Sequence, residues 1–233
     1  MAPAVRLRSV VALVGRFPVL AGTHLEVATG EVVLLRGPNG AGKTSLLRAC
    51  AGLLPIASGE VSVLGHDLRR DRRSVRRQVG LLGHAGFLYD DLSAEENLRF
   101  VARASKAGRD SEGATAGAGI GPVLARLGLG DRLRDVPVGR LSAGQRRRVS
   151  IAALVVRRPL LWLLDEPHAG LDAESREMLD RMVREAVAEG ATVLFTSHEG
   201  DRVTALADRA VTMSGGQVRV PSPGEPRKRV HVA

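Results

Sequence analysis

The chain has 233 residues, 34 Lys and Arg against 25 Asp and Glu for a formal charge of +9, 44% apolar residues and 3% aromatic residues. This is enough apolar side chain for one sizeable core, while scattered arginines with few aromatic residues for base stacking argue against a nucleic-acid-binding role. A single cysteine, Cys50, excludes an intrachain disulfide and fits a reduced, cytoplasmic setting as a packed rather than catalytic thiol. The N-terminal MAPAVRLRSVVALVGRF is broken by Arg8 and Gly15, lacks the long apolar core of a signal peptide, and reads as a first strand. No stretch approaches the roughly 20 apolar residues of a membrane-spanning helix, so the chain is expected to be soluble and to meet any membrane at its surface or through another polypeptide.

The alternating segments RLRSVVALV and THLEVA precede an apolar run, EVVLLRG, which ends in a glycine-rich turn and the helical pattern KTSLLRACAGLL. EVSVLGHDL reads as a strand with a turn at Gly65 and His66. The basic stretch that follows, Arg69, Arg70, Arg72, Arg73, Arg76 and Arg77, reads as a solvated face, with an anionic lipid surface as its functional alternative. A buried strand, VGLLG, comes next, and SAEENLRFVARAS opens a helix with a capping box in which Ser93 and Glu96 satisfy each other's backbone. KAGRDSEGATAGAGIG has little apolar periodicity and is expected to be a mobile connector, with helix resuming at Pro122 to Leu129. The remainder alternates: helix LSAGQRRRVSIAALVV, strand LLWLLDEP, helix AESREMLDRMVREAVAEG and strand ATVLFTSH. Such alternation predicts an α/β fold with a mainly parallel sheet. Residues 1–220 are expected to form one domain with a helical subdomain at about 93–140, and 221–233 a flexible tail.

GPNGAGKT, comprising Gly37, Pro38, Asn39, Gly40, Ala41, Gly42, Lys43 and Thr44, matches the P-loop pattern between a buried strand and a helix. Its glycines let backbone amides curl around phosphates at a helix N-terminus, Lys43 reaches the terminal phosphates, and Thr44 offers a hydroxyl to Mg²⁺; Ser45 completes the expected nucleotide-binding run. Asp165 is predicted at the carboxyl end of a strand, where it can hold the Mg²⁺ shell directly or through water, with the adjacent Glu166 polarising the attacking water. At LSAGQ, Ser142 is a good helix N-cap and Gly144 leaves room for phosphate, making a second anion site.

With GPNGAGKT and LLDEP, the LSAGQ pentapeptide at Leu141 to Gln145 closely resembles the signature of the ABC ATPases, and the match covers nearly the whole chain in the family's order. The resemblance implies a P-loop ABC fold with an antiparallel β subdomain and a helical subdomain. It also implies ATP and Mg²⁺ as cofactors and head-to-tail pairing with a second copy or a homologous ATPase subunit. Ser142, Gly144 and Gln145 would then meet the γ-phosphate held by the opposite subunit's Lys43, with Gly170, Leu171 and Asp172 crossing the interface. His198 matches the family's switch histidine, which contacts the γ-phosphate and helps arrange Glu166.

Two positions depart from the family pattern. Val14 stands where an aromatic residue usually stacks on adenine, leaving Phe17 as the substitute, and His84 stands where a glutamine usually senses Mg²⁺ and water. Imidazole is a poor partner for hard Mg²⁺, so His84 is expected to act through water or by donating to phosphate. Phe87, Leu88 and Tyr89 are candidates both for contact with a membrane partner's cytoplasmic helix and for the core. The Gly-His pair, ENLRF, LSAGQRRRVSIAAL and the Trp of LLWLLDEP resemble the ATP-binding export subunit of cytochrome c maturation, the haem exporter. That resemblance implies a peripheral ATPase on the cytoplasmic face of the membrane, working with separate membrane-spanning permease subunits. An ATPase for drug or other small-molecule export, and a non-transport ABC ATPase acting on nucleic acid or ribosomes, are the alternatives.

Overall fold

Strands buried along nearly their whole length must be covered on both faces. Three such segments form the centre of the larger sheet: β3 (Val32–Arg36), β7 (Leu161–Leu164) and β8 (Thr192–Thr196). Side chains alternate across a strand, so Val33, Leu35, Leu161, Leu163 and Leu194 enter one core while Leu34, Trp162, Leu164, Val193 and Phe195 enter the other. The computed structural model describes residues 2–83, 86–106, 119–130, 132–197 and 205–219.

In the larger sheet β6 (Val79–Leu82), β7, β8, β3 and β9 (Arg209–Ser214) run parallel in that order, and β10 (Gln217–Arg219) closes the far edge antiparallel to β9. A smaller antiparallel sheet has the order β2 (Phe17–Val27), β1 (Val5–Val14), β4 (Ser58–Val63), β5 (His66–Asp67). The small sheet and α1 (Lys43–Cys50) share the first core with the large sheet. The second core takes in α3 (Ala94–Lys106), α4 (Ile120–Arg126), α5 (Ala143–Arg157) and α6 (Ala173–Ala188). The expected parallel core sheet, antiparallel β portion and helical portion are all present.

Local chemistry explains the boundaries. At the start of α3, Glu96 N donates to Ser93 Oγ (3.2 Å) and Ser93 N to Glu96 Oε2 (2.8 Å), the predicted capping box. One turn in, buried Asn97 fastens the preceding loop by accepting from Tyr89 N (2.8 Å) and donating to the carbonyls of Tyr89 (3.0 Å) and Leu92 (3.1 Å). Glu95, buried on the same helix, pairs with Arg134 and Arg99, and the Arg134 hydrogen bonds hold its carboxyl below the usual range. In α6, Asp172 accepts from Ser175 N at 2.8 Å, and Leu179, Met182 and Val183 form the buried stripe.

Several expectations shift. The turn after β4 lies at Leu64 and Gly65, both at positive φ (50° and 79°), while His66 already belongs to β5. The basic stretch is partly helical, forming α2 (Arg72–Gln78) with Asp71 capping Ser74 N at 3.0 Å. Helix α4 begins at Ile120, because Pro122 still falls within the first turn, where its missing N–H has no intrahelical bond to lose. The β9–β10 hairpin was not anticipated; Gly215 and Gly216, with φ of 54° and 74°, link its strands in the two-residue turn that such a pair favours. Most of the expected connector and the whole of the expected tail lie outside the described residues.

Candidate active site

The P-loop geometry follows from its glycines. Gly37 (φ 150°), Gly40 (75°) and Gly42 (104°) adopt conformations that L side chains rarely reach, and two of them are also closely walled. A Cβ on Gly37 would lie 2.2 Å from the Met213 carbonyl oxygen, and one on Gly42 would lie 2.5 Å from that of Val19. The loop is thus wedged between β9 and β2. It delivers the chain into α1 through a left-handed Gly42 N-cap without a side-chain cap and without an acidic residue in the first turn. The first N–H groups of α1 and the positive end of its dipole are left for an anion.

Lys43, 7% exposed, donates from Nζ to the Gly37 carbonyl at 2.7 Å and the Pro38 carbonyl at 3.0 Å, so its ammonium is held over the loop. Thr44 Oγ1 donates to Asp165 Oδ2 at 2.7 Å, joining the P-loop to the end of β7 across 121 residues. Asp165 Oδ1 accepts from Thr196 Oγ1 at 2.8 Å, and the same hydroxyl accepts from Glu166 N at 2.9 Å. Thr44, Asp165, Thr196 and Glu166 therefore form one continuous hydrogen-bonded chain across the carboxyl ends of β3, β7 and β8. A hydroxyl and a carboxylate meeting in this way form a hard oxygen donor set of the kind Mg²⁺ takes.

Glu166 sits at φ 47°, left-handed for a residue with a side chain. Its carbonyl accepts from Arg147 Nη2 at 2.8 Å, and the same guanidinium donates to the carbonyls of Asp165 (3.0 Å) and Gly83 (2.5 Å). Burial pushes the Arg147 guanidinium down from its ordinary value, opposed by the neighbouring Asp165 and Glu166 carboxylates.

Arg147 comes from α5, whose start carries the second predicted anion site. Ser142 Oγ accepts from Gln145 N at 3.2 Å and Gln145 Oε1 accepts from Ser142 N at 2.9 Å, a complete capping box. The Gln145 amide carbonyl is thereby engaged, leaving its NH₂ as the group able to donate to a ligand. A Cβ on Gly144 would lie 3.4 Å from the Gly170 carbonyl, so this helix start adjoins the 170–172 turn. His168, 5% exposed, anchors that turn through Nε2, 2.7 Å from Asp180 Oδ1 on α6.

At the tip of the β1–β2 hairpin, Val14 and Phe17 are paired and exposed, at 54% and 77%. Phe17 is two residues from Val19, whose carbonyl walls Gly42, which puts the only aromatic side chain of this hairpin on the strand that leads to the P-loop. His84 and His198 lie outside the described residues. Phe87 and Leu88 line a groove with Leu82, Val101 and Leu154 between β6 and the helices; Phe87 is 71% exposed, and Tyr89 meets Phe100 edge-on at 5.1 Å.

Two residues of the site, Thr196 and Arg147, escaped the sequence reading. Arg147 was detectable in principle: it stands at i and Ile151 and Leu154 at i+4 and i+7, so it is an arginine on the apolar stripe of its helix. Thr196 had no such signal, since a threonine at a strand end is ordinary.

The ABC transporter family profile matches residues 20–169, from β2 through the site to the turn after Glu166. The chain is 38% identical over 185 residues to the cytochrome c biogenesis ATP-binding export protein CcmA 2 of Cupriavidus metallidurans, covering 79% of this chain and 84% of that one. It is 38% identical over 199 residues to the daunorubicin resistance ATP-binding protein DrrA3 of Streptomyces coeruleorubidus, covering 85% of this chain and 61% of that one. A solved structure of the ATP-binding subunit of an ABC transporter superposes with a TM-score of 0.85 at 27% identity, covering 93% of this chain and 88% of that one.

Proposed function

This chain belongs to the ABC transporter family as an ATP-binding, ATP-hydrolysing subunit, and from that premise we propose that it pairs with a second ATPase subunit to power export of haem during cytochrome c maturation. The observation that carries the catalytic part is the hydrogen-bonded chain from Thr44 through Asp165 and Thr196 to Glu166, which joins the phosphate loop to a carboxylate able to polarise water. Backbone N–H groups from Gly37 to Ser45, Pro38 having none, cradle the phosphates, and the Lys43 ammonium, already poised over the loop, moves onto the terminal phosphates. Thr44 and Asp165, the latter directly or through water, would hold Mg²⁺, which would supply charge neutralisation on the phosphate oxygens. Catalysis is then positioning and electrostatics, with Glu166 orienting the attacking water and His198 contacting the γ-phosphate behind it. His84 acts through water or by donating to phosphate, and Phe17 stacks on adenine.

Two anion-binding helix starts in one chain are redundant for a single nucleotide, which supports head-to-tail pairing. Ser142, Gly144 and the free NH₂ of Gln145 would then face the γ-phosphate bound by the other subunit, with Gly170, Leu171 and Asp172 at the seam. Among the described residues no helix is long and apolar enough to cross a membrane, and this reading assigns the crossing to separate membrane-spanning subunits. The groove lined by Phe87 and Leu88 is where such a subunit's cytoplasmic helix would dock, with this chain peripheral on the cytoplasmic face. One domain over 1–220 with a helical subdomain near 93–140 fits this arrangement.

The relative named for cytochrome c biogenesis supports haem export, and the daunorubicin resistance relative, equally identical, supports small-molecule export as the second reading. The test is a tagged Glu166→Gln variant, expected to lose hydrolysis by about 10²- to 10⁴-fold while still binding ATP, purified from its native membrane with ATP and Mg²⁺. Recovery of cytochrome c maturation membrane subunits supports haem export. Recovery of an unrelated permease assigns another cargo, and recovery of ribosomal or DNA-repair proteins alone overturns the transport role.

A further inference from the structure

A residue held at left-handed φ without being glycine costs on the order of 1–3 kcal/mol and persists only where its surroundings over-determine it. Glu166, at φ 47°, is held from both sides: its N–H by Thr196, and its carbonyl by Arg147 together with the Ala169 N–H at 3.1 Å. The Thr196 contact comes from the neighbouring strand of the same sheet, a rigid partner. The Arg147 contact comes from α5, the helix whose capped N-terminus at Ser142 is the second anion site.

Arg147 is poorly explained as ordinary surface charge. No salt bridge engages it among the described residues, its buried Nε has no hydrogen-bond partner, and burial pushes its guanidinium down against the opposing pull of the nearby Asp165 and Glu166 carboxylates. What it does instead is spread its planar fork over three backbone carbonyls: Gly83 at the end of β6, and Asp165 and Glu166 at the end of β7. A guanidinium can address several acceptors in fixed geometry, which an ammonium cannot. The three carbonyls belong to the two strand ends that bound the hydrolysis site on the side facing the helices. The distance along α5 from the Ser142 cap to Arg147 is only five residues, about a turn and a half of helix.

We propose that Arg147 is a positioning residue that fixes the backbone of Glu166 and ties it to the helix start that senses the second nucleotide. Its Nη donors go to backbone carbonyls, so it acts through Glu166. A displacement of α5 as its N-terminus engages phosphate is carried by the guanidinium to the Gly83, Asp165 and Glu166 carbonyls. The carboxylate is thereby aligned only when α5 is docked. This rests on Glu166 being the group that orients water.

The experiment is a double-mutant cycle on the full chain, measuring steady-state and single-turnover phosphate release for wild type, Arg147→Ala, Glu166→Gln and the double variant, with ATP affinity and melting temperature alongside. Expected are a loss of about 10- to 100-fold in kcat for Arg147→Ala, with KM and ATP affinity within about 2-fold, and no further loss when the change is added to Glu166→Gln. Arg147→Lys, which keeps the charge but not the fork, should recover only a minor part of kcat. If Arg147→Ala fails to fold, the lysine variant is carried through the same cycle. Equal losses in both backgrounds, a fall in ATP affinity matching the fall in rate, or full activity of Arg147→Lys would overturn the role. Glu166→Gln at wild-type rate would instead refute Glu166 as the water-orienting group, a failure read from that single variant alone.

Discussion

Replacing Thr196 by valine keeps the side-chain shape and removes one hydroxyl that serves two partners at once. Thr196 is 0% exposed, so water cannot take its place; the Glu166 N–H loses its acceptor at 2.9 Å and Asp165 Oδ1 its donor at 2.8 Å. An unsatisfied buried N–H costs about 1–3 kcal/mol and a lost hydrogen bond to a carboxylate about 1.5–3 kcal/mol. Because one hydroxyl provides both, the losses are coupled rather than additive, and we expect about 3 kcal/mol in total. For a chain of this size that corresponds to a fall in melting temperature of roughly 6–12 °C. With Glu166 held at φ 47° partly by this bond, its carboxylate should also shift, lowering kcat by about 10- to 100-fold. Calorimetry without nucleotide and steady-state phosphate release measure the two effects, and Thr196→Ser, which retains the hydroxyl, should recover most of both. A valine variant melting within about 2 °C of wild type and hydrolysing ATP at an unchanged rate would refute the hydrogen-bonded chain as the frame of the site.

Gly37→Ala should abolish nucleotide binding and lower the yield of folded protein, because its Cβ would meet the Met213 carbonyl oxygen at 2.2 Å; isothermal titration with ATP and a thermal melt check it. Cys50 is fully buried, and burial raises its pKa to about 12, so the native thiol should resist thiol reagents at pH 8 and react only on unfolding. Its protonated form is favoured in the folded state, so its contribution is present below the thiol's unfolded value and lost as pH rises toward about 12; Cys50→Ala should flatten the alkaline side of the stability profile. Glu95, held below the ordinary carboxylate range by Arg134, contributes stability above its unfolded value that is lost as pH falls through its folded value. Glu95→Gln should therefore be less stable at neutral pH and show a shallower acid limb, as read by denaturant melts from pH 3 to 7. Ser142→Ala removes the α5 cap and should cost about 1 kcal/mol, seen as a lower denaturation midpoint.

The P-loop, the Ser93 capping box, the Ser142 N-cap and the apolar strands were legible because each is written in a few consecutive residues. Glycines at 37, 40 and 42, serine followed by glutamate or glutamine three places on, and VVLLR or LWLL each carry their local consequence wherever they fold. Elsewhere local signals compete: Pro122 favours a helix start although any position in the first turn tolerates it, and the two-glycine turn at 215–216 lies beside a strand of only three residues, too short to show a period. In the site, Lys43, Asp165 and Glu166 could be assigned from motifs. Arg147 was hidden in a run of three arginines, where only the position relative to Ile151 and Leu154 separates an inward guanidinium from two others.

The sequence by itself determined where an anion can bind and which segments must be buried, since hydrogen-bond vacancies at helix starts and the alternation of side chains across a strand are properties of short range. Tertiary structure alone decided that Thr44 meets Asp165 across 121 residues, that Thr196 serves both Asp165 and Glu166, and that Arg147 reaches Gly83. Those contacts depend on β3, β8, β7 and β6 lying side by side in parallel register with α5 packed against β6. Parallel pairing joins segments far apart in the chain, and no local pattern states which strand will be the neighbour.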